Sequence, residues 1–386
     1  MNNNIPIPQP GQEIDWQAIE ASSLQPEIKK MAQTPQNPYW HGEGDVWTHT
    51  KLVCQALIEL ESWQRQTEEL REILFWAALL HDVGKPSTTA LDVDGQLHSK
   101  NHNPVGAKLA RNILWRDFDL AGTNDKIQFR ETICSLIRFH SSPPHITDVK
   151  DPVYIVARSS VDGLEVPKFN NRLLSILVDA DMRGRIADSI QESIDKVAMF
   201  VDCAEENNCL DNPYPFENEY SRFKYFHDKL NYPGVNLYDS TWGEVIVLSA
   251  LPGTGKDEYG NRVLSGLPTV SIDDVREDLN GDPTDNQGAF VNEARDRAKV
   301  FLRQKTPFVW NATNISNFTR KPIVDLITQY GASAKIVYLE TDWTEQLRRN
   351  ANREKAVPVN VIEHLLEKME MPSSREAEKV EWIAWN

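Results

Sequence analysis

The spacing of apolar residues changes once along the chain, near residues 231–243, and this change limits the folds that are possible. Before it, apolar residues recur every three or four positions, which is typical of amphipathic helices. After it, helical segments alternate with apolar runs, which lie at 244–249, 307–310 and 334–339. Strands that alternate with helices indicate βαβ units on a parallel sheet. The pattern therefore predicts an all-α region followed by an α/β domain with a parallel sheet.

The length of the chain also indicates more than one domain. At 386 residues it exceeds what a single hydrophobic core usually organises. With 40% hydrophobic and 25% charged residues, its composition is that of a globular protein and not of a disordered or fibrous one. We expect four segments: an N-terminal extension at 1–39, an all-α domain at 40–230, a linker at 231–243 and an α/β domain at 244–386.

Charge and the lack of targeting signals exclude several classes of function. The 41 basic and 57 acidic residues give a net charge of −16, which argues against a sequence-independent coat on nucleic acid and against binding to anionic membranes. Residues 240–386 carry 18 basic and 22 acidic side chains, a net of −4, which leaves −12 for the preceding residues. The longest apolar run, 73–80, is far too short to cross a bilayer. We therefore expect a cytoplasmic protein with no membrane partner.

Histidines and aspartates cluster in the helical part of the chain, at the ends and apolar faces of predicted helices. His81 and Asp82 end an apolar helix, with Gly84 and Pro86 as its stop signals. Imidazole and carboxylate ligands together suit borderline divalent cations and leave coordination positions open for water. The other residues of this kind are His49, His102, His140 and either Asp179 or Asp181. The set predicts a metal site, because core filling does not explain so many ligand-type residues at helix ends.

These residues resemble the HD-domain phosphohydrolases, in which the ligands follow the order His, His-Asp, Asp. The runs HDVGKP, NHNPVGA and ADMRGR are similar to those in the HD module of tRNA CCA-adding enzymes. The resemblance implies one or two divalent transition metals (Mn, Fe, Co, Ni or Zn), with Lys85 as a candidate for stabilising charge on the reacting phosphate. It implies a first metal site at His49, His81, Asp82 and Asp181, and a second completed by His102 and His140.

A second motif, VIVLSALPGTGKDEY, places a Gly-containing turn between a buried strand and a Lys at the start of a helix. In such a phosphate-binding loop, backbone N–H groups and the helix N-terminus hold triphosphate oxygens. Ala250 replaces the usual first Gly, and Asp257 replaces the Ser or Thr that binds Mg²⁺, so its carboxylate would contact the ion directly or through a water. The motif predicts binding of an NTP with Mg²⁺ by Pro252, Gly253, Thr254, Gly255, Lys256 and Asp257.

Further polar residues follow this loop where an acceptor substrate would lie. A predicted strand leads into Asp273, which could accept a hydroxyl proton, and Arg276 could hold a substrate phosphate. The basic cluster 348–355, RRNANREK, is typical of a lid over the transferred phosphate. Together these segments resemble the P-loop polynucleotide 5′-kinases. The resemblance implies that Asp273 is the general base, that Arg276 contacts the phosphate 3′ to the 5′-OH nucleotide, and that Arg349 and Arg353 are lid arginines.

An HD phosphohydrolase followed by such a kinase resembles the bacterial HD-Pnk type of RNA end-healing enzyme. The resemblance implies phosphorylation of 5′-OH polynucleotide ends with ATP or GTP, and hydrolysis of 2′,3′-cyclic phosphate or 2′(3′)-phosphate ends. RNA or DNA ends and an NTP would be the partners, and the family implies a possible homodimer. Two other hypotheses stay open: a nucleoside or nucleotide kinase fused to a nucleotide phosphohydrolase, and a kinase with a non-catalytic HD scaffold that binds RNA or dimerises.

Overall fold

The computed structural model describes residues 5–281 and 287–385 of the chain. These residues form two compact units. The first comprises the described residues up to 120 together with 125–215, and the second comprises 121–124 together with the described residues from 216 onward. No helix in the described ranges is both long and apolar enough to span a lipid bilayer.

The first unit is built from helices and one short antiparallel hairpin. Its helices are α1 (Trp16–Glu20), α2 (Gln25–Ala32), α3 (Val46–Glu59), α4 (Glu61–Gln64), α5 (Glu68–Leu80), α6 (Lys85–Thr88), α7 (His102–Arg116), α8 (Asn124–Phe139), α9 (Pro152–Ser160), α10 (Asn171–Arg183) and α11 (Ile190–Glu206). Its hairpin strands are β1 (Thr89–Leu91) and β2 (Leu97–Ser99), and its 3-10 helices are Pro143–His145 and Val161–Leu164. The helical architecture confirms the predicted class of this region.

Side-chain caps determine where the central helices of this unit begin. Asp45 accepts a hydrogen bond of 2.9 Å from the Thr48 amide at the start of α3, and Asn170 accepts one of 2.8 Å from the Leu173 amide at the start of α10. Helix α10 packs against α3, α5, α9 and α11. The hairpin departs from the predicted all-α pattern. Its turn includes Gly95 at a φ of +75°, a conformation that glycine adopts at little cost.

The second unit is a parallel sheet with helices. Its strands are β3 (Glu244–Ala250), β4 (Thr269–Ser271), β5 (Val309–Asn311), β6 (Ser333–Glu340) and β7 (Lys379–Ala384). Its helices are α12 (Glu219–His227), α13 (Lys256–Val263), α14 (Ile272–Asp278), α15 (Gln287–Arg303), α16 (Asn317–Gln329), α17 (Trp343–Ala351) and α18 (Val359–Glu367). The strand order is β4-β5-β3-β6-β7, and neighbouring strands are parallel, which confirms the predicted α/β class.

The central strand β3 is buried on both faces. Val245 and Val247 pack into one apolar cluster, and Ile246 and Leu248 pack into another on the opposite face, as expected for a strand with helices on both sides of the sheet. The chain passes from β3 to β4 and β5 on one side and then to β6 on the other. Such a reversal opens a crevice at the carboxyl ends of the strands, where ligands of open α/β sheets bind.

Helix α12 belongs to the second unit, so this unit begins before the linker predicted at 231–243. Arg222 on α12 donates hydrogen bonds to the carbonyl oxygens of Ser374, at 3.1 Å, and Glu378, at 2.5 Å. Phe223 is fully buried in the same apolar cluster as Val245. The helical spacing of α12 resembles that of the preceding helices, and the contacts that assign it to the sheet are distant in sequence.

Candidate functional sites

The first unit brings all six predicted metal ligands together. They are His49 on α3, His81 and Asp82 directly after α5, His102 at the start of α7, His140 directly after α8 and Asp181 on α10. Five of them are at most 2% exposed, and the side chain of His102 is 17% exposed. Their ligand atoms form two groups, each within 4.8 Å: His49, His81 and Asp181 in one, and Asp82, His102 and His140 in the other.

Asp82 belongs to the second group and also approaches the first. Its Oδ2 atom is 3.2 Å from Nε2 of His81 and 3.8 Å from Nε2 of His49. Its Oδ1 atom is 3.5 Å from Nε2 of His102 and 3.8 Å from Nε2 of His140. Because one oxygen is directed toward each group, Asp82 would help to hold a cation in either group.

Backbone carbonyls determine which nitrogen carries the proton in three of the imidazoles. The Nδ1 atoms of His81, His102 and His140 donate to the carbonyls of Ala78, Ser99 and Ile137 at 2.8, 2.8 and 2.7 Å. With Nδ1 protonated, each neutral ring carries a lone pair on Nε2. The Nε2 atoms of His102 and His140 lie 3.2 Å apart. Because facing lone pairs repel each other, this arrangement is complementary to a cation.

Burial and neighbouring charges keep most ligands in the forms that bind metals. Burial, reinforced by His102 and His81, lowers the pKa of His140 to about 3, and burial also lowers the pKa of His102. For Asp82 and Asp181 burial raises the pKa, but nearby cations outweigh it and hold both pKa values well below the usual range. Burial lowers the pKa of His81, but Asp82 outweighs it, so the net pKa is raised. A positive charge, from a proton or a metal, is therefore favoured beside Asp82.

The donor set fits divalent metal ions. Oδ1 of Asp82 is buried without a hydrogen-bond partner, and a buried polar atom left unpaired costs about 1–3 kcal/mol. A bound cation would satisfy this atom. Mixed imidazole and carboxylate ligands accept Mn, Fe, Co, Ni or Zn, and such an ion, when bound, supplies Lewis acidity and activates water.

Two cationic side chains contact the carboxylates of this cluster. Nζ of Lys85 lies 2.7 Å from Oδ2 of Asp82 and donates to Oε1 of Gln36 at 2.6 Å. Nη2 of Arg185 donates to Oδ2 of Asp181 at 3.0 Å. Lys85 thus lies within the cluster, as an interaction with a bound phosphate requires.

The sequence did not point to two further residues of this site, His41 and Glu43. Oε1 of Glu43 is 2.8 Å from Nδ1 of His41 and 2.8 Å from Nδ1 of His49, and Oε2 accepts a hydrogen bond of 2.9 Å from the Ile186 amide. Burial raises the pKa of Glu43, but hydrogen bonds to the two imidazoles lower it by a larger amount. The net pKa is therefore below the usual range, and the carboxylate is ionised. A carboxylate on the distal nitrogen of a metal-binding histidine fixes its tautomer and increases its basicity. Only the proximity to the α3 cap, Asp45, could have drawn attention to this segment.

The phosphate-binding loop follows β3 at the carboxyl edge of the sheet. Gly253 and Gly255 have φ values of +85° and +95°, which glycine adopts far more readily than other residues. A Cβ on Gly253 would lie 2.6 Å from the carbonyl oxygen of Gln346 on α17. The Gln346 side chain donates to the Pro252 carbonyl at 3.0 Å. Helix α17 therefore packs closely against the loop and fixes its backbone.

Lys256 and Asp257 begin α13 and meet Asn311 at the end of β5. Nζ of Lys256 donates to Oδ1 of Asn311 and lies 3.0 Å from Oδ1 of Asp257. Nδ2 of Asn311 donates to the same Asp257 oxygen at 2.9 Å. Burial raises the pKa of Asp257, but the Lys256 charge and the Asn311 hydrogen bond lower it by a larger amount, so the net pKa is below the usual value. An ionised carboxylate beside the phosphate-binding lysine is suited to hold Mg²⁺ directly or through water.

The predicted acceptor residues lie after β4, at the same edge of the sheet. Asp273 is in the first turn of α14 with its side chain 60% exposed, and Nη1 of Arg276 donates to its Oδ1 atom at 2.6 Å. An open cleft of about 770 Å³ is lined by Glu277, Asn280, Gly281, Arg353, Glu354 and Lys355. The cleft therefore extends from the end of α14 to the basic cluster.

The two predicted lid arginines differ in their contacts. Arg349 on α17 donates to the carbonyl of Thr254 at 3.0 Å and to Oε1 of Glu345 at 2.6 Å, so it lies against the backbone of the phosphate-binding loop. Nη2 of Arg353 is 3.9 Å from Oδ2 of Asp257, and its side chain is 39% exposed. Arg353 is thus the more accessible of the two.

Comparisons with known proteins give a different family match for each of the two units. Residues 46–181 match the family model described as HD domain, and residues 245–372 match the one described as AAA domain. The Multifunctional CCA protein of Halorhodospira halophila is 32% identical over 111 residues, which are 29% of this chain and 24% of that protein. The A-adding tRNA nucleotidyltransferase of Deinococcus radiodurans is 37% identical over 92 residues, which are 24% of this chain and 19% of that protein.

The chain thus spans about a quarter or less of the length of these curated relatives. A solved gluconokinase from Sinorhizobium meliloti 1021 aligns with a TM-score of 0.28 and 16% identity over 37% of this chain and 83% of that one. The two family matches and the two sites together indicate an HD domain followed on the same chain by a P-loop, kinase-like domain.

Proposed function

We propose that this protein heals broken RNA ends. Its HD domain hydrolyses 2′,3′-cyclic phosphate or 2′(3′)-phosphate ends, and its kinase-like domain phosphorylates 5′-OH ends. The observation that carries the proposal is the presence on one chain of a His/Asp cluster suited to two cations and a phosphate-binding loop followed by the Asp273–Arg276 pair. The HD-Pnk resemblance supports it, and one relative is named for acting on tRNA.

In the proposed hydrolysis, water adds to phosphorus, the bond from phosphorus to the 2′ or 3′ oxygen breaks, and that oxygen takes up a proton. The His/Asp cluster would hold the divalent metal, which when bound would supply Lewis acidity and lower the pKa of the attacking water. Lys85 is positioned on Asp82, from where its charge stabilises the phosphoryl oxygens as negative charge develops.

In the proposed phosphorylation, the carboxylate of Asp273 accepts the proton of the 5′-hydroxyl as its oxygen bonds to the γ-phosphorus of the NTP. The bond from the γ-phosphorus to the bridging oxygen breaks, and an NDP leaves. Lys256 binds the phosphates, and Asp257 and Asn311 lie beside it where Mg²⁺ would be held. Arg276 orients Asp273 through its hydrogen bond, and the resemblance to the polynucleotide kinases implies that it also contacts the substrate phosphate.

The direct test uses one RNA that carries a 5′-OH and a 2′,3′-cyclic phosphate. It is incubated with γ-labelled ATP or GTP and each divalent metal in turn, and both ends are analysed. We expect label at the 5′ end and metal-dependent opening at the 3′ end. Transfer of label to free nucleosides but not to RNA would favour the nucleoside kinase hypothesis, and an unchanged 3′ end with every metal would favour the non-catalytic scaffold.

Single substitutions separate the two activities. Asp273→Asn should lower 5′ transfer by about 10²–10⁴-fold, the usual contribution of a general base, and leave 3′ hydrolysis intact. Asp274→Asn is the matched control, because Asp274 is the neighbouring exposed carboxylate. Asp82→Asn should have the converse effect. Equal rates of 5′ phosphate transfer by the Asp273 and Asp274 variants would show that Asp273 is not the general base.

A further inference from the structure

An exposed aromatic pair lies in the loop that leads into the metal-binding cluster. Tyr39 and Trp40 pack edge to face, with ring centroids 4.6 Å apart and an interplanar angle of 86°. They are 70% and 46% exposed. They directly precede His41, whose ring centroid is 4.7 Å from that of His49. Single exposed apolar residues are common, but adjacent exposed aromatics at the edge of a site often mark a binding surface.

Hydrogen bonds hold the loop that carries this pair against the cluster. The amide of Gly42 donates to the Ile186 carbonyl at 2.8 Å, and Oε2 of Glu43 accepts from the Ile186 amide at 2.9 Å. A Cβ on Gly42 would lie 2.8 Å from the Ile186 carbonyl oxygen, so this close approach requires glycine. Oδ1 of Asn37 accepts from the Tyr39 amide at 3.0 Å. The aromatic pair therefore projects from a fixed backbone.

The surroundings define the chemistry of a ligand that would use this pair. The cluster and Lys85 suit a phosphate group. In the same loop as His41 and Glu43, Tyr39 and Trp40 offer exposed aromatic surface, and Ile186, 58% exposed, is bonded to that loop. A ligand with a phosphate separated by a short spacer from a flat aromatic ring system has a group suited to each of these features. A nucleotide has this composition, with ribose as the spacer.

We propose that Tyr39 and Trp40 form a stacking platform for the base of the terminal nucleotide of a single-stranded RNA end. This inference rests on the proposed function and deepens it, because it identifies how the part of the substrate outside the metal site is bound. Every base has a π-face, so stacking tolerates any sequence. The platform therefore selects an unpaired end over a paired one and does not select a particular base.

The test compares two substrates that share the reacting ring. One is a single-stranded RNA with a 2′,3′-cyclic phosphate, and the other is glycerol 1,2-cyclic phosphate, which has the five-membered cyclic phosphodiester but no base. The measured quantity is the ratio of kcat/KM for the RNA to kcat/KM for the glycerol compound. We expect Trp40→Ala to lower this ratio by about 5- to 100-fold, as expected for loss of one base–aromatic stack, mainly through KM. Trp40→Phe should retain most of it, because a ring remains.

Tyr238→Ala is the matched control, because Tyr238 is 88% exposed and belongs to the second unit. An unchanged ratio in Trp40→Ala, with the unsubstituted protein active on both substrates, would overturn the platform and leave the proposed function standing. An unchanged ratio combined with a lower sedimentation coefficient would instead assign the pair to a contact between copies of this chain. If the unsubstituted protein hydrolyses neither substrate with any metal, the proposed hydrolysis of cyclic phosphate fails and the platform with it.

Discussion

The Nε2 atoms of His102 and His140 lie 3.2 Å apart, and each ring donates its Nδ1 proton to a backbone carbonyl. With metal–nitrogen distances of about 2.0–2.1 Å, two imidazole ligands of one ion are separated by about 3 Å. The spacing of the two rings therefore already matches that of ligands bound to a shared cation.

His140→Ala should remove one metal ligand and weaken binding of one cation by at least about tenfold, because loss of even an outer-shell partner commonly costs 10–100-fold. Metal content per chain after dialysis, measured by mass spectrometry, checks this. His145→Ala serves as the control, because His145 is exposed and pairs with Asp148. The same metal content in both variants would contradict the second metal site.

Glu43→Gln should weaken metal binding by about 10–100-fold, although Glu43 is not itself a predicted ligand. The amide keeps an acceptor oxygen but lacks the charge that orients His49 and increases its basicity. A competition titration with a metal-binding dye measures the affinity, and the thermal midpoint of the metal-free protein reports any general damage. Glu59→Gln, a change at an exposed carboxylate on α3, should leave the affinity unchanged. A drop in thermal midpoint with normal affinity would show a purely structural role.

The stability of the metal-free protein should fall on acidification below about pH 6.5, the ordinary pKa of histidine. Burial lowers the pKa of His140 to about 3 and that of His41 to about 4 in the folded state. Between those values and 6.5 the unfolded chain binds protons that the folded chain does not, so the free energy of unfolding falls as pH falls. Each histidine contributes up to about 1.4 kcal/mol per pH unit.

Urea unfolding in the presence of a chelator, at pH values from 7 to 5, measures this slope. His140→Gln replaces the titrating ring with a neutral side chain and should flatten the dependence by up to one proton. Parallel curves for the two proteins would mean that His140 is protonated in the folded state.

Gly253→Ala should weaken NTP binding by tenfold or more, since φ at this position is +85° and the added Cβ would meet the Gln346 carbonyl at 2.6 Å. A conformation of this kind costs a non-glycine residue about 1 kcal/mol or more, and the clash moves the loop. Gly266→Ala is the control, because a Cβ there has nothing within 4 Å. Titration with a fluorescent nucleotide compares the two variants, and equal affinities would contradict a fixed loop.

The sequence predicted the features that depend on residues close together in the chain. Strand periodicity and the Gly-Lys turn identified β3 and its loop. The pattern of residues left both Asp179 and Asp181 as candidate ligands until a resemblance favoured Asp181. In the structure Asp181 contacts His49 at 3.1 Å, whereas Asp179 pairs with Arg183 at 2.9 Å in a partly exposed ion pair.

The features that the sequence missed depend on contacts between distant residues. Glu43 lies in a short loop without periodicity, and only folding brings its carboxylate to the amide of Ile186. The edge strand β7 is a second example, because charged residues such as Lys379 and Glu381 interrupt its apolar character. The assignment of helix α12 to the second unit is a third example, because Arg222 donates hydrogen bonds to carbonyl oxygens that lie more than 150 positions later in the chain.

In His81, His102 and His140 the carbonyl that accepts the Nδ1 proton lies three residues earlier in the chain. The backbone therefore orients these three rings without an ion, in contrast to classical zinc fingers, which fold only with their ion. We expect the positions of these ligands to be retained when the ion dissociates. The metal that the cluster binds would then follow from the supply of ions in the cell and their relative affinities for nitrogen and oxygen ligands. Under the proposed function, hydrolysis of RNA ends would depend on the supply of transition metals, whereas the kinase-like domain would depend on Mg²⁺.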